Sequence, residues 1–227
     1  MQIDVSTWVL IVIVAGAAVG GYGYVRKVRR GDYIRTYMFP PGLLKKLRKH
    51  YPEFTATEEQ LVARALRRFF LAYLHGGRRP VAMPSQVADV LWHEFILYTR
   101  HYQLFCRNAF GRFLHHSPAA VLSRDRDRNA GLRRTWWHAC LDENINPRMA
   151  TRLPLLFALD AKLGVGDGYR YTLDCRRESR GTSSDVLCAS DFSDSSIDGS
   201  TDGFGDSDTG GGDSGGGDGC GGGCGGD

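Results

Sequence analysis

Residues 84–98, PSQVADVLWHEFILY, predict the helix around which the rest of the domain packs. Ser85 is suited to its start, since a serine hydroxyl can accept a hydrogen bond from the first free amides of a helix. From Val90 to Tyr98 apolar side chains cover almost every face, so we expect this helix to be central and buried. The pattern continues without a glycine or proline, and we expect the helix to reach at least His101.

Further helical segments lie on both sides of this stretch. They are expected at residues 43–51, 57–75, 131–143 and 153–163. Thr57 and Gln60 have the spacing of a capping box at the start of the second segment. No segment shows the sustained alternation of a strand. The sequence therefore predicts an all-α fold with a compact helical domain over residues 32–180.

An apolar run without a charge precedes this domain. It extends from Val5 to Val25, and as a helix its 21 residues span about 31 Å, close to the thickness of the hydrocarbon layer of a bilayer. Trp8 lies near one end and Tyr22 near the other, as interfacial aromatic residues do. Residues 1–31 are therefore expected to form a single transmembrane helix with a basic flank.

Positive charge follows the apolar run and predicts its orientation. The four bases are Arg26, Lys27, Arg29 and Arg30. A cleaved signal peptide would carry its positive charge before the run, where this chain has only Asp4. The positive-inside rule then makes the run a signal anchor, with the N-terminus outside and the domain in the cytoplasm.

The anchor has two expected kinds of partner. Its four bases would face the inner leaflet, where each is worth about 1 kcal/mol beside anionic lipid. Charges that only set topology would produce the same pattern. Gly16 and Gly20 have the small-xxx-small spacing that lets two helices approach closely, which predicts a homodimer, although glycine is frequent in single membrane helices as well.

Residues 181–227 form a tail of different composition. They hold ten Asp, no Lys or Arg and 16 of the 29 glycines, so their charge is −10; residues 32–180, with 25 bases against 14 acids, carry +11. The tail has too few apolar residues for their burial to offset the entropy that the chain loses on folding, so we expect the tail to be disordered. The tail is expected to shield the basic surface of the domain or to compete with lipid for it. Cys220 and Cys224 could chelate a soft metal, or could have no such role.

A possible site begins with Asp89 and His93, which are four residues apart and share one helix face. The carboxylate can hold the imidazole in one tautomer, leaving the other ring nitrogen for a metal ion or a core hydrogen bond. His93, Cys106 and His116 are ligand types that zinc accepts. The spacing is unfavourable, because 13 residues put His93 and Cys106 about 220° apart on one continuous helix. Purely structural histidines are the alternative.

Two catalytic interpretations find little support. The metalloprotease motif that His93 could begin is broken by Leu97, which stands where the second histidine is needed. Cys106 with His115 or His116 could form a nucleophile and base, but no glycine loop suited to an oxyanion hole accompanies them. The balance is against an enzyme.

Residues 84–118 also carry a family resemblance. The residues that carry it are Asp89, Trp92, His93, Tyr98, Cys106, Phe110 with Gly111, and His115 with His116. In this order they resemble the signature of the glycine-rich domain-containing protein family of plants and bacteria, and the chain looks like a membrane-anchored bacterial member. The stretch LPLLFALD at residues 153–160 is similar to bacterial members too. No activity is established for that family, so the resemblance implies architecture more than function.

These observations predict a membrane-tethered helical interaction or scaffold module with an unidentified protein partner. The alternative is a metal-binding or metal-dependent protein that uses the His/Cys cluster, with zinc as its metal; otherwise no cofactor is expected. Nucleic-acid binding is not expected, because the bases are scattered and no nucleic-acid motif is present. A cytoplasmic domain lies in a reducing compartment, so structural disulfides are not expected either.

Overall fold

The computed structural model describes residues 5–116, 130–173 and 186–189. Within these residues the chain is mostly helical, as expected. The helices are α1 (Val5–Thr36), α2 (Leu43–His50), α3 (Ala56–His75), α4 (Gln86–Leu97), α5 (Thr99–Ala109), α6 (Ala130–Asp142) and α7 (Leu155–Lys162). Most of the predicted tail, including Cys220 and Cys224, lies outside the described residues.

Two short strands correct the all-α prediction. β1 (Arg170–Thr172) and β2 (Val186–Cys188) pair in parallel, with Tyr171 opposite Leu187. Each strand has only three residues, too few to show alternation in the sequence. Cys188 is disulfide-bonded, so the expectation that structural disulfides are absent is wrong.

α1 runs without a break from the apolar run into the domain. The span Trp8–Thr36 is long enough to cross a membrane, and the mean hydropathy of its most apolar 18 residues is 1.9, although a signal sequence can share both properties. Its apolar side chains are exposed, as Val19 is at 73%, whereas Ile34 near its end is fully buried in the domain core. The domain boundary predicted at residue 31 therefore falls inside a helix.

The central helix of the domain is α3 rather than α4. Eleven residues of α3 are buried, and this helix packs against α1, α4, α6 and α7. In α4, Leu91 and Phe95 are fully buried, but Leu97 is 71% exposed. The prediction that α4 is buried on all sides is wrong, because the helix ends at Leu97 and leaves this side chain beside solvent.

The start of α3 lies earlier than its sequence pattern predicts. The Thr55 hydroxyl accepts a hydrogen bond from the Glu58 amide at 3.3 Å, and the Thr55 amide donates to the Glu58 carboxylate at 2.8 Å. The capping box predicted at Thr57 and Gln60 is wrong, since both residues lie inside α3. Glutamate in the first turn also interacts favourably with the helix dipole, which glutamine does not.

The helix expected to reach His101 breaks at Tyr98. α4 ends at Leu97 and α5 begins at Thr99, because Tyr98 adopts φ −79° and ψ 58°, outside the helical region. The Tyr98 amide still donates to the Phe95 carbonyl at 3.0 Å, which closes a tighter last turn. The break lets α5 pack against both α4 and α1.

The carboxylate of Asp160, which is 1% exposed, joins α7 to the start of α4. It accepts hydrogen bonds from the Ser85 hydroxyl at 2.6 Å and the Gln86 amide at 2.7 Å. The Tyr169 amide, just before β1, donates to it at 2.9 Å. Ser85 in turn caps α4 as predicted, since its hydroxyl accepts from the Ala88 amide at 3.2 Å. A carboxylate here satisfies free amides and complements the helix dipole.

Replacing Asp160 with alanine should lower the free energy of unfolding by about 3 kcal/mol, because the half-buried amides of Gln86 and Tyr169 lose their acceptor. Urea unfolding of the detergent-solubilised full chain, followed by tryptophan fluorescence, measures this change. Asp167→Ala is the control, since Asp167 is exposed and lies in the same connection. Equal stability of the two variants would contradict the capping role of Asp160.

Acid should weaken the domain through His138 on α6. Burial, then repulsion from His75 and Lys27, lowers the pKa of His138 to about 4. In the unfolded chain the pKa is about 6.5, so on acidification the unfolded state binds the proton first, and about 3 kcal/mol of stability is lost between these two values. Unfolding measured across this pH range should show a slope that His138→Gln reduces. His101→Gln, at an exposed position, is the control and should leave the slope as it is in the parent chain. The same slope in His138→Gln and in the parent chain would contradict this account.

Candidate functional site

Three side chains from two parts of the chain meet beside α4. Asp89 and His93 lie one turn apart on that helix, and His116 lies in the segment after α5. The His116 Nε2 atom is 2.9 Å from one carboxylate oxygen of Asp89, and the His93 Nδ1 atom is 3.5 Å from the other. One ligand atom of each residue lies within 4.8 Å of the others. We call Asp89, His93 and His116 the α4 cluster.

A hydroxyl on α5 holds the segment that carries His116 against α4. The Tyr102 hydroxyl donates to the Leu114 carbonyl at 2.6 Å and accepts from the Trp92 indole at 3.1 Å. The His116 ring packs on Trp92, with 4.5 Å between ring centroids, and on His93 at 4.1 Å. The indole, the tyrosine and the segment therefore position His116 over the carboxylate.

The α4 cluster is open to solvent on one side. The side chains of Asp89 and His116 are 15% and 16% exposed, whereas that of His93 is 54% exposed. A carboxylate between two imidazoles can accept a hydrogen bond from each of them, which is a satisfied polar group at the edge of a core. The same three donors can instead hold a divalent cation, since two imidazoles and one carboxylate form a known ligand set that leaves positions open.

The structure does not bring Cys106 into the α4 cluster, contrary to the expected His93, Cys106 and His116 set. Cys106 is 1% exposed inside the core, and burial raises the pKa of its thiol. A buried thiol with a raised pKa is a weak nucleophile and a weak ligand. Cys106 lies one turn after Tyr102 on α5, and both side chains are on the face of this helix that is buried in the core.

The other predicted site residues are placed apart from the α4 cluster. His115 is exposed and its ring packs on Phe113, at 4.8 Å between centroids. Tyr98 lies at the α4–α5 break, where a Cβ on Gly42 would come within 3.3 Å of its hydroxyl. The bases Arg26, Lys27, Arg29 and Arg30 lie along α1. Gly16 and Gly20 lie on the exposed part of α1, with open space where a side chain would be.

Sequence reasoning missed two residues on which the site depends. Tyr102 connects Trp92 to the His116 segment, and Asp160 caps the helix that carries Asp89 and His93. Asp160 stands in the LPLLFALD stretch that carries part of the family resemblance, but its partners at the start of α4 are 73 to 75 residues away, and no local pattern indicates them.

Comparison with protein families matches residues 29–192 to the family described as UCP032817-like. The matched region begins inside α1 and contains the whole α4 cluster. That description carries nothing on glycine-richness or on a bacterial origin. Comparison with curated proteins and with solved structures gives no match. Because the match covers more than half of the chain, the protein belongs to the UCP032817-like family, for which no activity is established.

Proposed function

We propose that the protein is a membrane-tethered helical module whose domain is held at the bilayer surface by α1. The observation that carries this proposal is that α1, one unbroken helix, exposes apolar side chains in its first part and buries them in its last turns. Its first part exposes apolar side chains such as Val12 and Val19, which water does not favour. Its last turns bury Ile34 in the domain core. Insertion of the first part into lipid removes the exposed apolar surface and leaves the domain beside the bilayer.

Two observations bear on the orientation of this anchor. The bases that follow the apolar run favour a cytoplasmic domain with the N-terminus outside, and we propose this orientation. The disulfide at Cys188 favours the opposite orientation, since such bonds persist mainly in oxidising compartments. We retain, as proposals, pairing through Gly16 and Gly20 and kinship with the glycine-rich domain-containing proteins.

The anchor is tested by expressing the full chain and extracting its membranes with alkaline carbonate. The protein should remain in the pellet, and its intact mass should include residues 1–31. Val12→Lys with Val19→Lys should move it to the soluble fraction, because each lysine costs about 3 kcal/mol in a spanning helix. Leu104→Lys, at an exposed position of the domain, is the matched control. A mass that lacks the apolar run would identify a cleaved signal and contradict the anchor.

The orientation is tested with a maleimide that does not cross membranes. Cys220 and Cys224 should react in inverted vesicles and stay unlabelled in right-side-out vesicles. A Cys220→Ser, Cys224→Ser variant should lose the label and so identifies the reacting thiols. Labelling in right-side-out vesicles would contradict the cytoplasmic orientation.

Metal binding is a second candidate function, and the geometry of the α4 cluster favours it. Asp89 replaces Cys106 in the expected ligand set, so the donors become two imidazoles and one carboxylate. The exposed side of His93 gives an ion an entry path. Zinc accepts these three donors and would keep a position open for water.

Zinc binding is tested by titrating the purified full chain with zinc in a Cys220→Ser, Cys224→Ser background, which removes the tail thiols as ligands. We expect one equivalent to bind. His116→Ala should weaken this binding by more than about 10- to 100-fold, which is the loss when only a residue that orients a ligand is removed. His115→Ala is the control, because this neighbouring histidine lies outside the α4 cluster. No uptake by the parent chain, or equal uptake by both variants, would contradict the candidate function.

A further inference from the structure

A cavity of about 540 Å³ lies where α1 meets the end of α5. Tyr22 and Val25 line it at the end that continues into the apolar run. On its other sides stand the guanidinium-bearing side chains of Arg26, Arg29 and Arg30 from α1 and Arg107 from α5. We call the cavity that these four arginines line the arginine pocket.

The arginine pocket concentrates positive charge without a counterion. No acidic residue is among the side chains that line it. Within residues 5–116, 130–173 and 186–189, none of its four guanidinium groups makes an ion pair or a side-chain hydrogen bond. Elsewhere in these ranges arginines do pair: Arg35 bonds Asp142 at 3.1 Å and Arg48 bonds Glu59 at 2.5 Å. An anion in the pocket would therefore relieve the repulsion among four like charges.

The backbone at the end of α5 is shaped to admit one of these arginines. Gly111 has φ +75°, and a Cβ at this position would collide with the Arg30 guanidinium. The Gly111 amide donates to the carbonyls of Cys106 and Arg107 and closes the helix end. Arg78 donates to the neighbouring Phe110 carbonyl at 3.1 Å and holds this corner in place. The close approach of Arg30 thus depends on a glycine in the left-handed region.

The position of the arginine pocket along α1 indicates the kind of anion. If the apolar run crosses the bilayer, as the proposed function requires, Tyr22 and Val25 lie at the edge of the hydrocarbon. Arg26, Arg29 and Arg30 follow within about 12 Å of Tyr22 along the helix axis, in the layer that holds lipid phosphates. Guanidinium groups form paired hydrogen bonds with phosphate oxygens, which makes arginine the preferred residue for this ligand.

We propose that the arginine pocket binds a phosphate group at the membrane surface. The position of the pocket at the membrane surface rests on the proposed function, whereas the recognition of phosphate by guanidinium groups does not. Two sources can supply this group, the headgroup of an anionic phospholipid or a soluble phosphate. Both are recognised by the same four guanidinium groups, and the experiment separates them.

The test is native mass spectrometry of the full chain in detergent, with phosphatidylglycerol, phosphatidylcholine or inorganic phosphate added. Phosphatidylglycerol should bind in one equivalent and about tenfold more tightly than phosphatidylcholine, a difference of about 1.4 kcal/mol. Arg29→Gln and Arg107→Gln should each weaken this binding about fivefold or more. Gly111→Ala, which displaces Arg30, should weaken it without removing a charge.

Lys27→Gln is the matched control. Lys27 was expected to face the lipid together with the three arginines of α1. In the structure it does not line the arginine pocket and lies close enough to His75 and His138 to lower their pKa values, on the side of α1 that faces α3 and α6. Lys27→Gln therefore removes one charge from the same helix without altering the pocket. Its binding should stay within about twofold of the parent chain, which is under 0.5 kcal/mol. A cooperative thermal unfolding transition of each variant confirms that it is folded. The transition of Gly111→Ala is expected at a lower temperature, because alanine is strained at φ +75°.

Competition between phosphatidylglycerol and inorganic phosphate distinguishes the two sources of the phosphate group. Binding of phosphatidylglycerol that inorganic phosphate does not displace supports the proposal with a lipid as source, and displacement by inorganic phosphate supports it with a soluble source. Equal binding of both lipids together with no binding of inorganic phosphate, or equal losses in the Arg29→Gln and Lys27→Gln variants, would overturn it. If the chain resists carbonate extraction but binds neither phosphatidylglycerol nor inorganic phosphate, the proposal of phosphate binding is refuted and the membrane anchor is not. If the chain is soluble and still binds inorganic phosphate, the membrane anchor is refuted and phosphate binding is not.

Discussion

The burial of Ile34 in the domain core is the constraint on which the account of this protein depends. Ile34 belongs to the same helix whose earlier turns expose an apolar surface, so the proposed membrane span and the domain core share one continuous helix. No flexible linker separates the two parts. The position of the domain relative to α1 is therefore set by packing of α1 on α3 and α5, and residues at the junction keep defined neighbours. The arginine pocket exists only because of this arrangement.

A second interaction, the capping of α4 by Asp160, places the α4 cluster. The carboxylate ties α7 and the start of β1 to the first amides of the helix that carries Asp89 and His93. At the other end of α4, the break at Tyr98 returns the chain so that Tyr102 can hold the His116 segment. The α4 cluster is thus supported from both ends of one helix. This support orders the three side chains whether they act as structural hydrogen-bonding groups or as metal ligands.

Much of this fold follows from local sequence patterns. Helical spacing of apolar residues locates the helices within a few residues, and Ser85 caps α4 as its position predicts. The shared face of Asp89 and His93 follows from their spacing alone. The break at Tyr98 does not follow, since tyrosine is compatible with a helix and apolar residues continue on both sides. The position of Cys106 inside the core, apart from Asp89, His93 and His116, does not follow from residue types alone, and the role of Asp160 requires contacts across more than 70 residues.

The central claim is that α1 continues from the bilayer into the domain without a hinge. Amide hydrogen exchange of the full chain in lipid nanodiscs tests it most directly, because exchange reports local opening of helical hydrogen bonds. The account predicts slow exchange that is continuous over residues 22–36, through the basic residues to the end of the helix. Rapid exchange over residues 26–31 between two protected segments would reveal a flexible junction and would contradict the claim.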